Sequence, residues 1–322
     1  MLLSIQIIVG AILDGIFGDP QSVTHPVQRI GVFISYMEKK IRKWASGDEK
    51  KEFYGGIFLW ISTVGLTYWI TWGILAIIGY FWNLGKILVE IFFIYQILAT
   101  RCLFSETMKV YSFLKKDDLV GARKALSYLV GRDTDNLTKE EVIKATVETI
   151  AENTADGVIA PLFYIGIFGA PLGMAYKAVN TLDSMVGYRK KEYEYLGKCS
   201  ARMDDVFNFI PARITAFLLI LIAPLFGFPL KRTWKTYWRD RYQHSSPNSG
   251  QTEAVVAGAF GIQLGGTHSY FGKPVVKPTI GEQVEKVECK QIIWTNYFLV
   301  GATVLMIGLI VGSLFVVQNF LS

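Results

Sequence analysis

Glu148, Glu152 and Asp156 stand four residues apart in the run ETIAENTADG, so a helix there sets three carboxylates on one face. Like charges at that spacing oppose an isolated helix by a few tenths of a kcal/mol each, so something cationic must offset them. A solvated face with Lys139 and Lys144 nearby is the plain reading. Magnesium is the chemical one, because it takes one or two carboxylates and completes its shell with phosphate oxygens. Asn153, beside Glu152, adds an amide to the set. The metal-ligand candidates are Glu148, Glu152 and Asp156, joined by Asp204 and Asp205 further on.

Four more clusters are suited to polar or anionic ligands. Lys177, Asn180, Thr181 and Ser184 share a helical face, with Asp183 three residues after Asn180. Lysine binds phosphate as a point charge, although a lysine at a membrane edge also snorkels to headgroups. Asp204, Asp205 and Asn208 precede Pro211 and Arg213; one of the two acids would serve equally as a helix cap. The turn SPNSG brings Asn248 to a helix start, where free N–H groups favour anions. Glu253 is placed in the first turn, where the dipole alone would favour it. Asp14, Asp19, His25 and Arg29 form the last group. An acid at the end of an apolar segment marks function by default, and His25 before Pro26 reads as well as a turn histidine.

These clusters need elements to hold them. The 322 residues are 51% hydrophobic and 19% charged, with a net charge of +6. That is too apolar for an ordinary soluble domain and too polar for spans alone. The basic residues gather beside apolar runs (Lys39 to Lys51, Lys231 to Arg241), which fits cytoplasmic anchoring and not nucleic-acid binding. Spans are expected at about 1–17, 55–82, 84–101 and 297–320, within a single membrane-embedded catalytic domain, 1–322. The first is short and reads as a retained membrane segment, not a signal peptide. Segments 157–176 and 214–230 are apolar but broken by glycine and proline, which lipid tolerates only where the freed backbone lines a cavity or packs in protein. Residues 32–46 read as an amphipathic helix and 115–133 as one helix. Thr138 with Glu141 is a capping box opening the next helix.

Full crossing by both broken segments would put the basic loop 177–213 opposite the other basic loops, against the positive-inside rule. Re-entrant segments remove the conflict. The expected fold is therefore an all-α integral membrane protein of about four to five transmembrane helices, with re-entrant or broken helices and helical polar loops. Cys102, Cys199 and Cys289, and His25, His244 and His268, are dispersed and show no zinc or disulfide spacing. GTHSYFGKP has the wrong spacing for a P-loop. A transporter would also use broken helices and intramembrane acids. A structural scaffold gives no reason for so many acid–amide clusters.

Taken together, D-G-x-x-G-D-P with H-P-V-x-x-I-G, E-N-T-A-D-G-V-I-A-P-L-F-Y, Y-K-A-x-N-T-L-D-S-M-V-G-Y, D-D-x-x-N-x-I-P-A-R and S-P-N-x-G-x-x-E-A resemble the CobD/CbiB family, from residue 14 to about 281. The resemblance implies an adenosylcobinamide-phosphate synthase of cobalamin biosynthesis. It would be a multi-pass enzyme of the cell (inner or plasma) membrane that joins adenosylcobyric acid to (R)-1-aminopropan-2-ol or its O-phosphate, using ATP and Mg2+. The partners it implies are the corrinoid, the amine and the bilayer, with no nucleic acid, and it leaves room for a homo-oligomer or other membrane enzymes of the pathway. On this reading Glu152, Asp156, Asp183 and Lys177 carry the chemistry. Asp14, Asp19, His25, Arg29, Asn153, Asn180, Asn208, Arg213, Asn248 and Glu253 bind substrate or phosphate.

Overall fold

The computed structural model describes residues 2–18, 25–187, 191–270 and 272–321. Thirteen α-helices follow in chain order among them: α1 (Leu2–Phe17), α2 (Pro26–Ala45), α3 (Glu49–Phe81), α4 (Asn83–Ile97), α5 (Thr100–Lys115), α6 (Leu119–Ser127), α7 (Lys139–Thr154), α8 (Ala160–Val186), α9 (Lys198–Phe207), α10 (Phe209–Ile222), α11 (Leu230–Asp240), α12 (Ser249–Phe260) and α13 (Lys290–Leu321). One antiparallel hairpin, β1 (Leu264–Tyr270) with β2 (Lys273–Ile280), interrupts them. Among the described residues, five helical stretches are long and apolar enough to cross a membrane: Glu49–Phe81, Asn83–Lys115, Lys139–Val186, Phe209–Phe226 and Lys290–Phe320. The protein is an all-α, multi-pass membrane protein in class, as expected. Asp19, one of the sequence-predicted site residues, lies outside the described residues.

Two expectations need correction. Residues 115–133 do not form one helix. Asp117 adopts φ +55°, and Asp118 then caps α6 by accepting from Gly121 N–H at 2.8 Å. The polar region after 260 holds the β-hairpin, whose Val275 and Val276 suit a strand and not a helix. The first segment is a helix of 16 residues, about 24 Å long and short of the ~30 Å hydrocarbon core. The capping box of α7 is present, with Thr138 and Glu141 each bonding the other's backbone N–H.

The chain forms two compact units. Unit 1 holds residues 1–99, 160–208 and 307–322. In it α1 packs on α4 where Gly10 meets Ile94, and Gln6 Nε2 donates to Glu90 at 3.0 Å. The strongest departure from regular helix is in α8. Phe168 and Gly169 leave the helical region, Gly169 with φ +71° and ψ −164°, and Pro171 follows. Tyr164 and Tyr176, twelve residues apart, would be about 18 Å apart along a straight helix, yet their rings stack with centroids 5.1 Å apart. Stretch α8 is thus a helical hairpin with its tip at 168–169. Its two feet lie at one end of α3. Tyr164 Oη donates to the Phe207 carbonyl at 2.8 Å, and the Phe207 ring lies 6.0 Å from Trp60. The chain leaving the second arm brings the Leu196 carbonyl against Gly56. A hairpin of this kind is what a re-entrant segment, expected from the charge pattern, requires.

Unit 2 holds residues 100–159 and 209–306. Its centre is α12, of which all twelve residues are buried. Small side chains allow this: Gly258 lies directly beneath Thr233 and Thr236 of α11, where an added Cβ would come within 2.7 Å. Helix α7 packs on α12 and α5 and buries most of its length. It then loosens into one π-turn at Ala155–Ile159. The second broken segment turns at Pro224 and Gly227, and the Phe217 ring returns to within 5.9 Å of Tyr237 on α11.

Candidate functional site

Within unit 2, α7, α12, the segment 129–132, His244 and the β-hairpin enclose a polar cavity of about 160 Å³. Glu148 and Glu152 enter it from one face of α7, with Asn153 beside them. The cation demanded by this row of acids is Arg132. Its Nη2 donates to Glu148 Oε2 at 2.5 Å, with both side chains largely buried. The other oxygen, Oε1, accepts from the Gly265 N–H at 2.8 Å. Gly265 pairs with Thr279 at the edge of a bulge, where the register of β1 shifts before Thr267. Gly265 has φ +73°, and a Cβ there would collide with the Pro278 carbonyl, so only glycine serves. Both oxygens of Glu148 are therefore engaged.

Glu152 is held differently. Its Oε1 accepts from Ser249 Oγ at 2.8 Å, and Ser249 opens α12. Glu253 sits in the second turn of α12, not the first, and is 4% exposed. Burial, with the neighbouring charges of Glu148 and Glu152, raises its pKa well above the usual carboxylate value. His244 Nε2 lies 3.9 Å from Glu253 Oε1, too far for a hydrogen bond. Burial also lowers the His244 pKa, so burial disfavours the charged form of both groups and with it an ion pair between them.

The tautomers of both histidines follow from their partners. His244 Nδ1 accepts from the Ser246 N–H at 3.0 Å, leaving the proton on Nε2. Arg132 has no acceptor atom, so at 3.1 Å its Nη1 donates to His268 Nε2. Burial, then the charge of Arg132, lowers the His268 pKa and keeps that ring neutral. Neither imidazole retains an unused lone pair. Lys277, from β2, also lines the cavity, with Nζ 5.3 Å from the Tyr270 ring. Two cations, Arg132 and Lys277, thus balance two carboxylates, Glu148 and Glu152. A zwitterion suits such a cavity better than a simple anion.

Of the sequence-predicted residues, Glu148, Glu152, Asn153 and Glu253 meet here. Asp156 falls in the π-turn that follows α7 and is not among the lining residues. Arg213 and Asn248 also belong to unit 2 and bond each other at 3.3 Å, with the guanidinium stacked 3.4 Å from the Phe209 ring centroid. The remaining candidates belong to unit 1. Asp14 is buried on α1. His25 caps α2 through Nδ1 and the Val27 N–H, and Arg29 follows one turn on. On the second arm of α8, Thr181 and Ser184 donate to the carbonyls of Lys177 and Asn180. Asp183 shares that arm. Tyr176 donates to Asn208 Oδ1 at 2.7 Å, and Asn208 Nδ2 donates to Asp204 at 3.0 Å, with Asp205 adjacent. Among the described residues, no group of three or more His, Cys, Asp or Glu is arranged to hold a metal ion.

Sequence reasoning missed Arg132, His244, Gly265, His268 and Lys277. The Gly-Gly pair before an alternating, β-branched run was a signal for a bulged strand; nothing local pointed to Arg132. No solved structure matches the chain. The family described as CobD/Cbib protein matches residues 7–297. A Clostridium perfringens protein named cobalamin biosynthesis protein CobD is 47% identical over 308 residues, 96% of each chain. A Klebsiella pneumoniae protein of the same name is 47% identical over 305 residues, 94% of this chain and 95% of its own. The Salmonella typhimurium cobalamin biosynthesis protein CbiB is 44% identical over 302 residues, 94% of each. With a family match over nearly the whole length and relatives this similar, the chain belongs to the CobD/CbiB family of cobalamin biosynthesis proteins.

Proposed function

We propose that the protein is a biosynthetic ligase of the plasma membrane, forming the amide between adenosylcobyric acid and aminopropanol or its O-phosphate at the expense of ATP. The observation that supports this best is the unit 2 cavity, a buried polar site of balanced charge with one carboxylate left to accept a proton. An amine attacks an activated carboxyl only as the free base, so its ammonium proton needs an acceptor. Glu148 is engaged at both oxygens, burial disfavours the charged form of Glu253, and both imidazoles have their lone pairs in use. Glu152 is the group that remains, oriented by Ser249. Arg132 and Lys277 would attract the phosphate of a phosphorylated amine, and Glu152 its ammonium end.

A magnesium ion carried by the nucleotide would need carboxylates other than Glu152. Magnesium uses one or two carboxylates beside phosphate oxygens. The adjacent Asp204 and Asp205, with Asp204 already bonded to Asn208, have that character, whereas Glu152 does not while it serves as proton acceptor. When bound, Mg-ATP would supply the phosphoryl group that activates the corrinoid carboxylate, with ADP released in that step and phosphate released as the amine attacks. Detergent-purified protein given adenosylcobyric acid, aminopropanol phosphate and Mg-ATP should yield an amidated corrinoid, detected by mass, only when both ATP and the amine are present. Glu152→Gln should lose about 10²-fold or more in kcat and raise KM for the amine, whose ammonium end loses its carboxylate. A wild-type protein that binds corrinoid yet makes no product under these conditions would favour a carrier.

A further inference from the structure

Unit 1 contains a second cavity, of about 410 Å³, unlike the first in every respect. Its walls are apolar: Phe33 of α2, Leu66, Ile70 and Ile74 of α3, and Phe93 of α4. Three threonines, Thr63, Thr67 and Thr71, also line it. Each donates its hydroxyl to the carbonyl four residues earlier on its own helix, at 2.7, 2.7 and 2.8 Å. The wall therefore offers a ligand methyl groups and no hydroxyl donor. From Thr63 to Ile74 it runs about 16 Å along α3. Arg29 is the one charged residue among those lining the groove. Its side chain is exposed and has no bonded partner among the described residues.

A long apolar trough on a span that exposes most of its surface, with one guanidinium that no described residue pairs, matches the chemistry of one class of molecule. We propose that this groove binds an anionic phospholipid, with an acyl chain along α3 and its phosphate on Arg29. Apart from Arg29 the trough has no side-chain donors for the many polar groups of a corrinoid or a nucleotide, and a free phosphate would make no use of its apolar length. Arg29 is thereby assigned to a lipid phosphate and not to the substrate.

The test uses the full-length protein in a mild non-ionic detergent and native mass spectrometry with dioleoylphosphatidylglycerol or dioleoylphosphatidylcholine. Wild type should retain phosphatidylglycerol preferentially. Arg29→Gln should reduce that preference about fivefold, the worth of one cation at a lipid surface, and Arg29→Lys should keep most of it. Leu66→Trp with Ile70→Trp, which fills the trough, should reduce retention of both lipids, while the Arg29 variants keep the wild-type melting temperature. Excess inorganic phosphate should leave the adduct in place. The proposal is overturned if Arg29→Gln keeps the full preference, if inorganic phosphate alone displaces phosphatidylglycerol, or if the filled trough retains lipid as wild type does.

Discussion

At the scale of single residues, the cavity of unit 2 makes its strongest statement through Arg132 and Glu148. Both side chains are at most 10% exposed, so removing one partner leaves the other charged and buried. Arg132→Met should destabilise the protein by about 3–5 kcal/mol, and Arg132→Met with Glu148→Met should recover most of that loss. Thermal melts in detergent read both. A single variant as stable as the double would show that the pair is not buried in solution. Glu253 makes a prediction of opposite sign. Its pKa is raised in the fold, so its contribution to stability is complete below the unfolded value of about 4.3 and is lost as pH rises through the folded pKa. Glu253→Gln mimics the neutral acid. Its melting temperature should exceed that of wild type above that range, and the two curves should converge on acidification. Parallel melting curves across pH would refute the raised pKa.

At the scale of elements, the legible features were those with local causes. The spacing of Glu148 and Glu152 placed both acids on one face of α7, and Thr138 with Glu141 placed its start. Glycine and proline marked the break in α8. Where the break falls was not legible, because five such residues compete between 161 and 173 and the choice is made by packing. The structure selects Gly169, whose backbone angles are essentially glycine-only and whose absent Cβ would lie 2.6 Å from Glu90 Oε1. Gly169→Ala should therefore cost about 1–3 kcal/mol from backbone strain alone, with a further loss from displacing the Glu90–Gln6 pair. Gly166→Ala, on the regular first arm and 3.0 Å from a terminal carbon of Ile310, should cost less. Equal losses in a melting experiment would place the tip elsewhere. The hairpin β1–β2 and its bulge were missed for a related reason. The bulge matters through Glu148, which is more than a hundred residues away in the chain, and no local pattern reports so distant a partner.

At the scale of the whole molecule, the family motifs cover both units, yet their division was not visible, because each unit is assembled from discontinuous stretches. The charge pattern did carry one global constraint. A basic loop after α8 and a basic turn between α2 and α3 belong on the same side of the bilayer under the positive-inside rule. A straight α8 would separate them. Folded as a hairpin, α8 returns its second foot to the α2–α3 end of unit 1, where Arg42 Nη1 donates to the Glu192 carbonyl at 3.0 Å and Leu196 meets Gly56. Single cysteines at Ser46 and Tyr195, in a background with Cys102, Cys199 and Cys289 replaced by serine, should therefore react with an impermeant maleimide from the same side of sealed vesicles. Both should be protected in right-side-out vesicles and both labelled in inverted ones, since the lysines flanking Ser46 draw that turn to the cytoplasm. Labelling of the two positions from opposite sides would mean that α8 crosses the membrane, and the hairpin would have to be abandoned.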